Sequence, residues 1–428
     1  MQSPPTSFQR LIYSRPLKFA MIFVQSARHF STVRFTRPDS ALRRRRFRVR
    51  SSLPFGTEKA NYYRELEAAV DAVERACALC VDIQSSVLQR RVVEKTDQTP
   101  VTVADFGVQA LVSLELGKRF PLIPFVAEED SAFVRSKKLV EPVLNAVLDK
   151  SSCGENPWTA DEVLEAIDRG GPEGFAFGAQ PATYWVLDPI DGTKGFVKGN
   201  PALYVVGLAL VVDGELVLGV MGCPNWKNDI SNKSTSEVQE ENITPPGSGI
   251  IMVAHTGCGT WTKRLSSVLN STAKMPYSWT QCFVDGSCIV EEARFSIPDS
   301  DVWESFPLSS LFRSTNADSI DEGEILLVKS CCGSLSKYMM VASGVVSLHM
   351  QRMKVHRVTK AWDHVVGIIC VHEAGGKVTD WKGDELNLAA DEVGRRNIYP
   401  SGGIIASNGT LHNRLLEMMS SSSSTVSR

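Results

Sequence analysis

The stretch WVLDPIDGTKGF, residues 185–196, sets Asp188 and Asp191 three residues apart around a Pro and follows them with Gly192 and Thr193. The apolar lead-in WVL reads as a strand, so both carboxylates fall at a strand end, where the chain turns. Carboxylate oxygens there suit a hard cation such as Mg²⁺. The Gly-Thr pair can offer a backbone N–H and a hydroxyl to an anion. Such a grouping suits metal-assisted chemistry on a phosphate ester. A plainer alternative stays open at this point, because Asp-Pro also simply begins turns.

Other residues could join this group. Glu128 and Glu129 end an expected strand, LIPFVAEED at 122–130, and Asp97 lies in the polar turn KTDQTPVTVAD. Asp363, in WDH, stands at an expected helix start, where N–H groups and the helix dipole favour anions. Each could instead be a solvated strand-end acid, a turn acid or a helix cap. Lys194 suits either a substrate anion or a rim ion pair, and His364 suits either catalysis or packing. No G-x-x-x-x-G-K-[ST] motif occurs, which disfavours a P-loop nucleotide hydrolase. A cysteine-phosphatase loop, Cys-x₅-Arg, is not expected either.

Such residues need elements to hold them. Residues 62–90 and 99–121 carry apolar side chains at helical spacing and predict two helices. Residues 202–224 predict a hairpin turning at Asp213-Gly214. A strand is expected at 250–257, a helix at 261–272, strand–turn–helix–strand at 324–352, and a helix with a Gly-Gly stop and a strand at 361–383. Residues 131–180 read as an insertion or lid. The resulting division is 56–227 and 249–416, two α+β subdomains joined by an exposed linker at 228–248, with a disordered tail at 417–428.

The 428 residues, 43% hydrophobic, can fill one large or two ordinary cores. No run of eighteen apolar residues occurs, so no membrane span is expected. Residues 1–50 hold eleven Arg and one Lys against Asp39, a net +11; the whole chain is −2, which leaves −13 for the rest. A basic, acid-poor leader on an acidic body predicts a transit peptide over 1–55, handled by an organelle import machinery. The destination is expected to be the mitochondrion, with the chloroplast as alternative. A basic arm for nucleic acid, RRRRFRVR at 43–50, is the competing interpretation; the acidic body argues against a nucleic-acid polymer as partner. Cys77 and Cys80 fall on one helix face and read as core, and no pair of Cys has a partner pair at zinc spacing. Cys331 and Cys332 are adjacent and not expected to bridge. A reduced compartment follows.

Glu-Glu, then D-P-I-D-G-T, then W-D-H resembles the lithium-sensitive, magnesium-dependent sugar-phosphate phosphatases, which include inositol monophosphatases and fructose 1,6-bisphosphatases. Within them, K-G-F after D-P-I-D-G-T, KTDQTPVT and GVMGCPN are similar to the 3′(2′),5′-bisphosphate nucleotidases. The likeness extends over about residues 60–415. It implies an α+β, layered αβαβα sugar-phosphatase fold of two subdomains and a site holding two or three Mg²⁺ ions. By position it implies metal ligands at Glu128, Asp188, Asp191, Asp363 and the carbonyl of Ile190. It further implies that Asp97 and Thr193 activate water, that Gly192 and Thr193 bind the phosphate, and that Ser334 and Lys337 meet a nucleotide. The implied activity is removal of the 3′-phosphate of adenosine 3′,5′-bisphosphate. The alternative is an inositol phosphate or another small sugar phosphate, and a third possibility is a non-catalytic scaffold. A monomer is expected, with a dimer as the alternative.

Overall fold

The computed structural model describes residues 53–86, 92–94, 100–152, 156–198, 202–226, 249–265, 278–309, 326–353 and 358–425. The transit peptide expected over 1–55 and the linker expected at 228–248 lie almost wholly outside these residues.

The first half begins with helix α1, Tyr63–Ser86. Leu66, Val70, Val73, Cys77 and Cys80 recur at three- and four-residue steps along it and are fully buried, which aligns them as one apolar stripe. Strands β1 (Val92–Glu94) and β2 (Pro100–Thr102) then pair antiparallel. Helix α2 follows at Val103–Arg119, strand β3 at Phe125–Ala127, and helices α3, α4 and α5 at Ser131–Ser136, Val140–Lys150 and Ala160–Asp168. The supposed lid at 131–180 is thus largely helical. It packs Val143, Val147, Val163 and Ile167 against Phe106 and Ala110 of α2. Strand β4 is Tyr184–Asp191 and the short helix α6 is Thr193–Lys198. Strands β5 (Val205–Val212) and β6 (Glu215–Cys223) form the expected hairpin. Its turn residues Asp213 and Gly214 have φ of 50° and 87°, as a two-residue turn matched to strand twist requires.

Strands β7 (Ile250–His255), β8 (Gly259–Arg264) and β9 (Thr280–Cys282) continue this same sheet, whose order is β3-β4-β5-β6-β7-β8-β9. Two expectations are therefore corrected. The subdomain boundary does not fall at 228–248, because β7 pairs antiparallel with β6 across that segment and completes the first sheet. The helix expected from residue 261 begins instead as β8, because Thr260, Trp261 and Thr262 are held by ladder pairing to both β7 and β9.

The second sheet, in order β11-β10-β12-β16-β14, is built from β10 (Arg294–Pro298), β11 (Leu326–Ser330), β12 (Leu348–Arg352), β14 (Gly376–Asp380) and β16 (Gly403–Asn408). Strands β13 (Thr359–Lys360) and β15 (Asn397–Ile398) make a separate two-stranded pair. Helices α7 (Leu335–Ala342) and α8 (Val365–Glu373) are sandwiched between the two large sheets. The VVGIICV run of α8 is apolar all round, as a helix buried on every side must be. Helix α9, Gly409–Thr425, covers the far face of the second sheet. The layers run α1/α2, sheet, α7/α8, sheet, α9, the αβαβα order. The tail expected from 417 is instead helical to Thr425. Leu411, Leu415 and Met419 bury one face of α9 against the sheet, and serine costs only a few tenths of a kcal/mol per residue to carry the helix onward.

Among the described residues no helix is long and apolar enough to cross a membrane.

Candidate metal centre

Residues three apart on a regular strand point to opposite faces. Strand β4 avoids this by a bulge. Asp188 pairs with Gly207 and Asp191 with Val205, so three steps on β4 match two on β5. The extra residue lies in the Pro189-Ile190 segment, where a missing N–H costs no ladder bond. Both carboxylates thereby reach the same side. Asp363 arrives from the second half, two residues ahead of α8. One carboxylate oxygen from each of Asp188, Asp191 and Asp363 lies within 4.8 Å of the others.

Burial and mutual repulsion leave this group short of positive charge. Asp188 and Asp363 are pushed well above the usual carboxylate range, first by burial and then by the negative charges of Asp191 and Glu128. Asp191 is raised to about 6 by burial, against the opposing pull of Lys337 and of the N–H groups of Ser334 and Leu335. Asp188 Oδ1 is buried with no hydrogen-bond partner. A buried carboxylate oxygen without a donor is costly, and a hard dication satisfies it. The donor set, oxygen only and acidic, fits Mg²⁺.

Glu128 follows β3 directly. The parallel register Ala127–Leu187 sets it abreast of Asp188, and its charge reaches all three acids. Glu129 is buried, and Gln109 clasps both its N–H and its carbonyl, at 2.9 and 2.7 Å. The Ile190 side chain is in the core, while its carbonyl accepts from Thr193 Oγ1 at 3.0 Å. Gly192 has φ of 85°, and a Cβ there would lie 3.2 Å from the Leu203 carbonyl. Asn225 of the GCPN segment braces that same stretch, donating to the Ala202 carbonyl and accepting from Tyr204 N–H. Ser334 N–H and Leu335 N–H donate to the two oxygens of Asp191 at 2.8 and 2.7 Å. Lys337 is buried on α7, and its ammonium donates to the carbonyls of Cys332 and Gly333. His364 is buried with Nδ1 2.9 Å from Tyr338 Oη. Asp97 lies outside the described residues.

Three features escaped the sequence reading. Asp105, in the first turn of α2, is only 1% exposed, and its charge raises Asp188. Its place behind the Thr-Pro-Val-Thr run was a usable signal. Cys331 and Cys332 are bonded to each other. Adjacent cysteines were not expected to bridge, and here Cys332 turns left-handed, at φ 61°. The Cys-x₅-Arg spacing does occur, at Cys258–Arg264 and Cys288–Arg294. Neither forms a phosphatase loop: residues 259–264 are strand β8, and Arg294 opens β10. Burial also pushes the Cys258 thiol up, away from the thiolate such chemistry uses. Cys77 and Cys80 are free and buried, as core residues.

Residues 63–424 match the model of the inositol monophosphatase family. An Arabidopsis thaliana protein named as a mitochondrial 3′(2′),5′-bisphosphate nucleotidase is 55% identical over 413 residues, covering 95% of this chain and 100% of that relative. Another from Arabidopsis thaliana, 3′,5′-bisphosphate nucleotidase 2, is 34% identical over 338 residues, covering 77% and 89%. Among solved structures, the Thermotoga maritima IMPase aligns with a TM-score of 0.50 at 20% identity, covering 85% of this chain and 99% of that one. At that identity the likeness concerns the fold alone.

Proposed function

The chain belongs to the inositol monophosphatase family, and on that premise we propose that it removes the 3′-phosphate of adenosine 3′,5′-bisphosphate in a Mg²⁺-dependent hydrolysis. The observation that carries this is the convergence of Asp188, Asp191 and Asp363 from both halves of the chain within 4.8 Å. The nucleotide preference rests on the 55% identical relative and on the KGF and GCPN segments. The same relative's name and the net +11 leader support residence in the mitochondrion after import.

Glu128, Asp188, Asp191, Asp363 and the Ile190 carbonyl would hold the metal, as two or three ions. Bound Mg²⁺ offsets the charge of the clustered carboxylates and of the substrate phosphate, and makes coordinated water more acidic. The chain's own part is proton handling and orientation. Thr193 Oγ1, whose proton points to Ile190 O in the resting site, would turn that proton to a carboxylate as it accepts the proton of the attacking water. A carboxylate beside it must pass that proton on. Asp97 was the first candidate; Asp105 is favoured by its burial and its charge coupling to Asp188. Gly192 and Thr193 cradle the phosphate through the turn that opens α6. Water adds to phosphorus, the bond to the 3′-oxygen breaks, the proton relayed from the water is returned to that oxygen, and AMP and inorganic phosphate leave. Ser334, beside Asp191, and Lys337, beneath the same loop, are assigned to shaping the nucleotide end. The protein is taken as a monomer.

Phosphate release with Mg²⁺, with and without Li⁺, tests this on adenosine 3′,5′-bisphosphate and inositol 1-phosphate in parallel. Preference for the nucleotide, with inhibition by Li⁺, is expected. Preference for inositol 1-phosphate would move the function to the alternative substrate class, and no release from either would remove the catalytic reading.

A further inference from the structure

We propose that Arg396 is a positioning residue that fixes the Glu128 side of the metal centre against the Asp363 side. This rests on the assignment of both acids as metal ligands above. The two acids stand 235 positions apart (363 less 128), Glu128 directly after β3 and Asp363 between β13 and α8, and those two strands belong to different sheets. Their separation is not set by any one strand or helix, so some group must span the two segments.

Arg396 makes that span with both its side chain and its main chain. Its guanidinium donates to the Ala127 carbonyl at 2.6 Å, to the Gly170 carbonyl at 2.8 Å and more loosely to the Glu128 carbonyl at 3.5 Å. Gly170 O in turn accepts from Ala127 N–H at 2.8 Å, so the end of β3 is clasped from two directions. On the other side, the guanidinium carbon lies 4.9 Å from the centre of the Trp362 ring, and Trp362 directly precedes Asp363. The Arg396 carbonyl accepts from Ala361 N–H at 2.8 Å, and the β13–β15 ladder locks the adjoining residues Lys360 and Asn397. Asp391 holds the loop in shape by accepting from the N–H groups of Gly394 and Arg396 and from the Asn397 amide.

The residue type matters. Only a planar guanidinium can bridge two carbonyls and lie on an aromatic ring at once; an ammonium meets carbonyls as a point charge and presents no flat face. Ligand sets demand placement within about 0.5 Å, and loss of groups that orient ligands typically costs 10- to 100-fold in metal affinity. The neighbouring Arg395 supplies an internal control. It is more deeply buried and equally bonded, donating to Ala389 O at 2.7 Å, to Gln180 O at 3.0 Å and to Gly178 O. Those partners tie the 171–181 segment to the same loop without touching either ligand.

The test uses the full chain carrying R396K or R395K. The Mg²⁺ concentration at half-maximal thermal stabilisation is measured without substrate, alongside the Mg²⁺ dependence of phosphate release. Both variants are expected to melt lower than wild type in EDTA. R396K is expected to raise the Mg²⁺ midpoint about 10-fold or more, with most kcat recovered at saturating Mg²⁺, and R395K to leave the midpoint unchanged. An unchanged midpoint in R396K, or an equal rise in R395K, overturns the proposal, since a merely structural role moves both variants alike. If R396K does not fold, W362F reads the same midpoint, expected to rise about threefold, and no rise there overturns it. Absence of any Mg²⁺ stabilisation in wild type overturns the metal centre together with this inference. Stabilisation without nucleotide hydrolysis overturns only the proposed substrate.

Discussion

Gly333 stands against the Asp191 carboxylate so closely that a Cβ at 333 would overlap Asp191 Oδ2. Its φ of 69° is also one that only glycine adopts freely. Close approach at this point lets the next two N–H groups reach both oxygens of Asp191. Gly333→Ala is therefore expected to fold, to lose about 1–2 kcal/mol to the left-handed backbone, and to lose phosphate release by at least about 100-fold. Urea unfolding and a phosphate assay on the same preparation check both parts; full activity would show that the loop yields without moving Asp191.

Removing one negative charge from the centre should separate stability from activity. Asp188 is buried, repelled by four other acids and left with an unsatisfied oxygen. Asp188→Asn is expected to raise the melting temperature in EDTA, to abolish the Mg²⁺-induced rise, and to cut phosphate release by about 1,000-fold or more. Thermal melts with and without Mg²⁺ decide this.

The raised Asp191 fixes a sign for pH. Its folded value of about 6 lies above the 3.8 of an unrestrained aspartate, so the metal-free folded state binds more protons than the unfolded one. Its unfavourable contribution is absent below about 4 and grows as pH rises toward about 6, on the order of a few kcal/mol. The melting temperature in EDTA should fall across that window, and the gain from Mg²⁺ should widen. A Mg²⁺ gain that is flat between pH 4.5 and 7 would contradict this.

Acid acts through a different group, on the helix that packs against the second sheet. His412 is buried, with its ring nitrogens at 2.8 Å from Thr379 Oγ1 and 3.0 Å from Ser407 Oγ. Burial holds it down to about 4, below the usual 6.5. Its neutral form thus contributes stability that is full above about 6.5 and is lost as pH falls toward 4. His412→Asn should be less stable at pH 7 and should show a shallower stability loss between pH 6.5 and 4, read from urea midpoints.

Two carboxylates compete for the water's proton. Asp105→Asn is expected to lower kcat at least about 100-fold at saturating Mg²⁺, and Asp97→Asn to lower it far less. The reverse order would return the base to Asp97.

Most of the elements, and the acids of the candidate centre, are legible in the residues alone. Alternation and helical spacing report local burial, and they placed α1, the β5–β6 hairpin and α8 close to where they lie. The D-P-I-D-G-T and W-D-H runs marked Asp188, Asp191 and Asp363, because the clustered carboxylates sit on short contiguous motifs. Only the tertiary structure decided what depends on distant partners. That β7–β9 belong to the first sheet is set by ladder pairing across residues 227–248, which leaves no periodicity in the strands themselves. That Asp105 reaches Asp188 and that Arg396 reaches Ala127 follows from packing between segments far apart in sequence. A lone buried acid or arginine carries no local pattern, since its partners are backbone carbonyls and charges that any residue types could supply.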